Sequence, residues 1–370
     1  MSDTDLRHMR SALVLGRRGL GNTWPNPSVG CVIVKAGRVV GRGWTQPGGR
    51  PHAETLALAQ AGDLAQGATV FVTLEPCAHI GETPSCATVL AAAGVARVVA
   101  AVEDRDIRVS GKGFKILRAA GVAVHTGTLA QAALRDHAGF FLRNDLGRPW
   151  VTLKLATSFD GRIATASGES RWITGAEARR AVHAMRLRHD AILIGAGTAR
   201  ADDPDLTVRG FGQVRQPVRI VVSRRLDLSL IGRLAMTAQQ TPLWICHGTS
   251  ADSILKKVWS GLGAKLIECG QTEGQINMHG VLQALGQAGL TRVFCEGGGA
   301  LSASLLLQDL VDEIVGITAG LALGAESWPS LGALGYDRLL DAARFDLHEV
   351  CDIGGDVMHR WQRAQRHSDK

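Results

Sequence analysis

Short β-branched apolar runs alternate with Ala- and Leu-rich segments of about ten residues, and this alternation constrains the chain more than any other feature. Elements in that order bury their apolar faces as an α/β structure, with helices covering a largely parallel sheet. In the first half, Met9–Gly19 has a helical pattern and Ser28–Val40 reads as a strand pair turning at Ala36-Gly37. Helix His52–Ala61, strand Ala68–Leu74, helix Cys86–Ala93 and strand Arg97–Val102 follow, then helix Gly113–Ala120 and strand Val122–His125. From Asn144 to Pro149 the pattern breaks into turn residues, and a fresh strand begins at Trp150–Ala156. Strands at Ala191–Gly195, Arg219–Val222, Leu243–Cys246, Lys265–Ile267, Arg292–Cys295 and Glu313–Ile317 continue the alternation. A chain of 370 residues exceeds what one compact core usually holds. Two α/β domains are therefore expected, residues 1–147 and 148–370, the first with three layers.

The formal charge of +7 is compatible with nucleic acid or with small phosphorylated substrates. No block of like charges appears and the chain has a single Tyr, which argues against a nucleic-acid partner. Seven cysteines, odd in number and widely scattered, argue against a disulfide framework and for a reducing compartment. The N-terminal MSDTDLRHMR lacks the apolar core of a signal peptide, and no apolar run approaches about 18 residues. A soluble cytoplasmic protein with no membrane contact is expected.

His52-Ala53-Glu54 opens a helix directly after Pro51, Pro76-Cys77 follows a strand, and Cys86 opens another helix. One imidazole and two thiolates make a three-ligand zinc set, and a fourth position left to water marks a catalytic site. Zinc lowers the pKa of such a water toward ~7. Glu54, two residues from His52, does not share its helix face. It reads as the proton shuttle beside the metal rather than as a ligand, and His-x-Glu followed by Pro-Cys is the zinc-deaminase pattern. Each piece alone has a blander reading, since two cysteines on helices are commonly small buried hydrophobes. A structural zinc would want a fourth protein ligand, for which His79 is available.

Eight residues separate Cys77 from Cys86, against two in nucleic-acid deaminases of this type. The stretch Glu75–Cys86, the run Asn26-Pro27-Ser28-Val29-Gly30-Cys31-Val32 and His52-Ala53-Glu54 resemble the deaminase half of the bifunctional riboflavin-biosynthesis deaminase/reductase family. That resemblance implies a cytidine-deaminase-like fold, with Asn26 and His79 on the pyrimidine substrate. Two departures stand out. Glu82 occupies a position where the family usually has Lys or Arg, and Glu103-Asp104-Arg105-Asp106-Ile107 replaces an Asp-Pro-Asn-Pro-like turn. Arg50, Arg105 or Lys112 are the basic residues expected to take over the phosphate.

In the second half, Glu296-Gly297-Gly298-Gly299 joins a strand to a helix, where free backbone N–H groups suit a phosphate. It is not the Rossmann fingerprint, which comes early in its domain. The segments Lys154–Ala164, Gly168–Thr174, Asp190–Thr198 and Ala201–Arg209, closed by Glu296–Gly299, resemble the reductase half of the same family. The resemblance implies a dihydrofolate-reductase-like fold using NADPH. The cofactor is expected at Ala156, Trp172, Thr198, Asp202, Ser223 and the loop Gly298, Gly299, Ala300, Leu301, Ser302, Ala303 and Ser304. The ribosyl-phosphate substrate is expected at Ser170, Arg186, Leu206, Arg209 and Glu296, with Lys154 facing it as proton donor or electrostatic anchor. Arg224 and Arg225, just after a strand, suit the 2′-phosphate of NADPH or are simply solvated. The implied reactions are hydrolytic deamination of 2,5-diamino-6-ribosylamino-4(3H)-pyrimidinone 5′-phosphate and NADPH reduction of its ribosyl side chain to ribityl. A homodimer is the expected assembly. The alternative is a nucleic-acid or nucleotide deaminase whose second domain binds a nucleotide without catalysis.

Overall fold

The computed structural model describes residues 2–78, 84–106 and 110–364. The chain divides into two compact units, Met1–Arg148 and Pro149–Lys370.

The first unit runs α1 (Asp3–Gly16), β1 (Gly30–Lys35), β2 (Arg38–Trp44), α2 (Ala53–Ala61), β3 (Thr69–Val72), α3 (Cys86–Ala92), β4 (Arg97–Ala100), α4 (Lys112–Ala119), β5 (Ala123–Thr126) and α5 (Ala130–Leu146). Its sheet has the order β2-β1-β3-β4-β5, antiparallel across β1 and parallel from β3 to β5. Two glycines show how closely helices cover both faces. A Cβ on Gly30 would stand 1.9 Å from the Ala12 carbonyl oxygen of α1, and one on Gly43 would stand 2.1 Å from the Ala53 carbonyl oxygen of α2. Gly30 pairs with Trp44, so Gly43 faces the opposite side of the sheet, and the three expected layers are present. Met9, Phe71, Leu90, Val98 and Leu117 fill the core between them.

Two local expectations differ from the structure. The first helix begins at Asp3 rather than Met9 because Ser2 and Asp5 form a capping box, with Asp5 N–H donating to Ser2 Oγ at 3.1 Å. The cost of burying Asp5 is offset by Arg97, which holds both carboxylate oxygens at 2.9 and 3.0 Å. The stretch beginning at Asn144 is not a turn: α5 continues through Leu146 and ends at Gly147, whose φ of 71° supplies the left-handed cap. The apolar stripe of α5 is interrupted at its core position His137, which bonds Thr73 instead of packing as a hydrocarbon.

The second unit contains β6 (Trp150–Thr157), β7 (Arg162–Ala164), α6 (Ala176–Leu187), β8 (Ala191–Gly195), α7 (Ala196–Asp202), β9 (Val218–Val222), α8 (Arg233–Met236), β10 (Leu243–Gly248), α9 (Ser253–Gly261) and β11 (Lys265–Cys269). It continues with β12 (Gln271–Thr272), β13 (Gln275–Ile276), α10 (Met278–Gln287), β14 (Arg292–Cys295), α11 (Gly299–Leu307), β15 (Glu313–Thr318), β16 (Trp328–Pro329), β17 (Phe345–Ile353) and β18 (Asp356–Arg363). Nine strands form the main sheet in the order β11-β10-β9-β8-β14-β6-β15-β18-β17, parallel from β11 to β15. The terminal β17–β18 hairpin is antiparallel. It lies beyond the last strand expected from sequence, although Gly354-Gly355 at φ 67° and 89° is the kind of turn that announces a hairpin. Because β14 returns between β6 and β8, the carboxyl ends of these three strands lie side by side, where α/β sheets place their ligands. No helix among the described residues is long and apolar enough to cross a membrane.

Candidate functional sites

In the first unit, two helix starts and one strand exit bring three donors together. His52 is the N-cap of α2, Cys86 is the first residue of α3 behind its N-cap Ser85, and Cys77 follows β3. One donor atom from each lies within 4.8 Å of the others. His52 Nδ1 is 3.3 Å from Cys86 Sγ and 3.7 Å from Cys77 Sγ. The backbone N–H of Cys86 donates to Cys77 Sγ at 3.3 Å, directing the free end of α3 at this sulfur. Hydrogen bonds from Cys86 and His52 push the Cys77 thiol down to about 4, while the neighbouring Cys77 and burial push Cys86 up. A preformed thiolate beside an imidazole and a second thiol fits zinc, and no fourth protein ligand joins the three among the described residues.

Glu54, 4% exposed, sits beside this cluster. Burial, with the Cys77 charge added, pushes its carboxyl up to about 7. A cavity of about 460 Å³ opens on it, lined by Asn26, His52, Glu54, Cys77, Asp104, Asp106, Arg143 and Asn144, among others. Asn26 therefore shares a wall with the metal cluster. Glu75 fixes the opposite rim: its carboxylate accepts from the backbone N–H groups of Asp104, Gly111, Gly113 and Phe114 at 2.9–3.3 Å. His79, Glu82 and Ile107 lie outside the described residues.

None of the three basic residues expected to meet the phosphate is among those lining this cavity, although Arg50 lies against the same metal donors. Arg50 lines a second cavity with His52, Pro84 and Cys86, while Arg105 pairs with Asp145 at 3.4 Å and stacks on Phe141. Lys112 opens α4 and does not line the main cavity. Among the described residues, Arg143 is the basic side chain that, besides His52, lines it. Arg143 is absent from the sequence expectation because no helix is assigned there between strand Val122–His125 and the turn at Asn144.

In the second unit, Glu296 directly follows β14, and its N–H donates to the Leu193 carbonyl of β8 at 3.0 Å. Arg186 on α6 grips it with Nε to Oε1 at 2.6 Å and Nη2 to Oε2 at 3.1 Å. Lys154, half-buried on β6, completes the group. Burial lowers its ammonium and Glu296 pulls the other way. Burial would raise the Glu296 carboxyl, but Arg186 and Lys154 hold it below its usual range. Arg186 also donates to the Thr207 carbonyl at 2.8 Å, which ties in the segment holding Leu206 and Arg209. Leu206 is buried at φ 52°, so this segment offers its backbone rather than that side chain. His183, absent from the sequence expectation, joins the group by accepting from Arg209 N–H at 3.2 Å.

Thr198 on α7 and Gly298 before α11 meet directly, with Gly298 N–H donating to Thr198 Oγ1 at 3.1 Å. The nine-residue α11 begins beside them without a side-chain cap, so first-turn N–H groups remain for an anion. Gly299, Ala300, Leu301 and Ser304 leave surface there, whereas Ser302 and Ala303 are buried and Ser302 Oγ bonds the Gly297 carbonyl. Ser223 is also buried, its hydroxyl donating to Asp227 at 3.0 Å. Arg224 reaches the Gly274 carbonyl and Arg225 is exposed. Ala156 is half-buried on β6, and Ser170 and Asp202 are exposed. Trp172 is 67% exposed under the Arg179 guanidinium, whose carbon lies 4.5 Å from the ring centre.

Known proteins match both units. Residues 2–102 match the cytidine and deoxycytidylate deaminase zinc-binding region, and residues 149–359 match the RibD C-terminal domain. The chain is 39% identical over 365 residues to the riboflavin biosynthesis protein RibD of Escherichia coli K12, covering 95% of this chain and 98% of that protein. It superimposes on Acinetobacter baumannii RibD with a TM-score of 0.87 at 37% identity, covering 98% and 99% of the two chains. The Thermotoga maritima diaminohydroxyphosphoribosylaminopyrimidine deaminase/5-amino-6-(5-phosphoribosylamino)uracil reductase gives 0.86 at 29%, with the same coverage. With a zinc-type donor set in one unit, an Arg-Glu-Lys group in the other, and relatives matched along nearly their full length, the chain belongs to the RibD family, the bifunctional deaminase/reductases of riboflavin biosynthesis.

Proposed function

We propose that the chain removes the 2-amino group of 2,5-diamino-6-ribosylamino-4(3H)-pyrimidinone 5′-phosphate as ammonia, then reduces the ribosyl side chain to ribityl with NADPH. The two steps divide between residues 1–147 and 148–370. The observation that carries the reading is the convergence of His52, Cys77 and Cys86, the first two of which line the cavity that also holds buried Glu54. His52, Cys77 and Cys86 would hold a zinc ion, which when bound would supply an activated water at neutral pH. Glu54 accepts the two protons of the attacking water in turn and passes one to the ring nitrogen and one to the amino group that leaves as ammonia, a task suited to a carboxyl raised to about 7. Asn26 orients the pyrimidine, and Arg143 takes the phosphate from the cavity wall.

In the second unit, NADPH supplies the hydride. The start of α11, Thr198 and the exposed Trp172 and Asp202 hold the cofactor; Ser223, Ser302 and Ala303 are buried and support these segments from within, Ser302 by bonding the Gly297 carbonyl. Ser170, Arg209 and the Leu206 backbone hold the ribosyl phosphate. Arg186 sets Glu296, and Lys154 protonates the acceptor as hydride arrives, because burial and the loss of water ease release of its proton. The protein works as a cytoplasmic homodimer on a small phosphorylated pyrimidine.

The test follows ammonia release and NADPH oxidation on one purified sample, with zinc content measured and Glu54→Ala as control. Both activities, with only deamination lost in the variant, support the reading. Ammonia release without NADPH consumption leaves the second unit a nucleotide-binding module, the one competing reading.

A further inference from the structure

His183 stands one helical turn before Arg186 on α6, on the same face. Together they grip the main chain of residues 207–209 from one side. Arg186 Nη1 donates to the Thr207 carbonyl at 2.8 Å, and the Arg209 N–H donates to His183 Nδ1 at 3.2 Å. A ring nitrogen that accepts a backbone N–H carries no proton of its own, so the contact requires the neutral imidazole protonated on Nε2. The charged groups facing the ring are the Arg186 and Arg209 guanidiniums and the Glu296 carboxylate, with the Thr207 carbonyl beside them. Burial and the two guanidiniums outweigh Glu296 and the Thr207 carbonyl, both of which favour the protonated ring, and hold the imidazole below its ordinary value, which favours the accepting form at neutral pH. The Arg209 side chain is 62% exposed and only loosely paired with Asp205 at 3.4 Å. Its aim therefore depends on how firmly its main chain is held.

We propose that His183 is a positioning residue of the reductase site: its unprotonated Nδ1 fixes the Arg209 main chain so that the guanidinium meets the anionic end of the substrate, and protonation of the ring releases it. The inference rests on the reading of Arg209 as a phosphate contact. It adds to that reading a pH-dependent support that Arg186 and Glu296 do not supply.

The experiment measures KM and kcat for NADPH oxidation by the full-length enzyme, with the deaminated ribosylaminopyrimidine phosphate as substrate, from about pH 5.5 to 8. His183→Ala is expected to raise KM about tenfold with kcat within about twofold, since the lost contact serves binding. His183→Asn, whose Oδ1 accepts from the same N–H, is expected to restore KM at neutral pH. It should also abolish the part of the acid-side rise in KM that the imidazole causes; the substrate phosphate titrates near pH ~6 in both proteins and leaves its own part. If His183→Ala does not fold, as thermal unfolding would reveal, the pH profile of His183→Asn decides alone. An unchanged acid-side rise in His183→Asn overturns the proposal, as does an unchanged KM in His183→Ala while Arg209→Ala raises it. An unchanged KM in Arg209→Ala overturns the phosphate reading itself.

Discussion

Arg186 and Glu296, 110 residues apart in sequence, form a two-pronged ion pair with both side chains about nine-tenths buried. Such a pair is strongly interdependent, because removing one partner leaves the other charged and out of water. Arg186→Ala is expected to destabilise the protein by about 3 kcal/mol, measured by urea unfolding. Arg186→Lys keeps the charge but not the fork and should recover part of that loss, while reductase kcat/KM stays depressed at least about tenfold. Equal stability in Arg186→Ala and wild type would show the pair to be far better hydrated than its burial indicates.

Glu54→Gln preserves shape and removes the proton carrier. Deamination should fall by a factor on the order of 10³, with zinc content unchanged, because the carboxyl is not one of the three converging donors. Loss of zinc in this variant would make Glu54 a ligand instead.

Removing the metal tests the other half of the site. Cys77 is the thiol already poised as thiolate, so Cys77→Ser should bring zinc, read by atomic absorption, well below one per chain. Chelation of the wild type should abolish ammonia release and leave NADPH oxidation of pre-deaminated substrate intact. Parallel loss of both activities would mean that the metal supports the fold of the whole chain.

The three candidate metal donors that the fold brings together were legible because their chemistry is local: a histidine before a helix, a cysteine after a strand and a cysteine opening a helix each carry their own marker. The parallel strands were legible from β-branched runs for the same reason. What escaped depends on tertiary contacts. The start of α1 has a local signal in its Ser2–Asp5 capping box, but Asp5 is buried, and the Arg97 that pairs with it lies 92 residues away; α5 hides its stripe behind His137, whose partner Thr73 lies 64 residues off. His183 carries no motif of its own, and only the fold brings Arg209 N–H to its ring. The first-turn serine and alanine of α11 were readable as a stretch, but which of them faces inward was not.

Arg143 is the consequence of that hidden helix. It shares the wall of the deaminase cavity with Asn26 and Glu54, which among the described residues makes it the guanidinium best placed for a phosphate. Arg143→Ala should raise the deamination KM about tenfold for the phosphorylated substrate and leave that for the dephosphorylated nucleoside unchanged. Equal effects on both substrates would assign Arg143 to the cavity wall alone.

Asp5 sets the acid limit of the first unit. The Arg97 guanidinium hydrogen-bonded to it holds its carboxyl below the ordinary 3.8, outweighing burial. Between the folded and unfolded values the unfolded chain binds more protons, so this contribution is complete above pH ~4 and is lost as pH falls through the lower folded value. Glu75 acts in the opposite sense, since burial raises its carboxyl against four backbone donors and its contribution is lost as pH rises. The Asp5 share is therefore the difference between wild type and Asp5→Asn. That variant should be about 2 kcal/mol less stable at pH 7, because it replaces a charge-assisted pair by neutral hydrogen bonds. The gap should close as the pH is lowered below about 4, when the wild-type carboxyl also loses its charge. A gap that stays constant down to pH ~2 would trace the loss to packing at the α1–β4 contact and not to the ion pair.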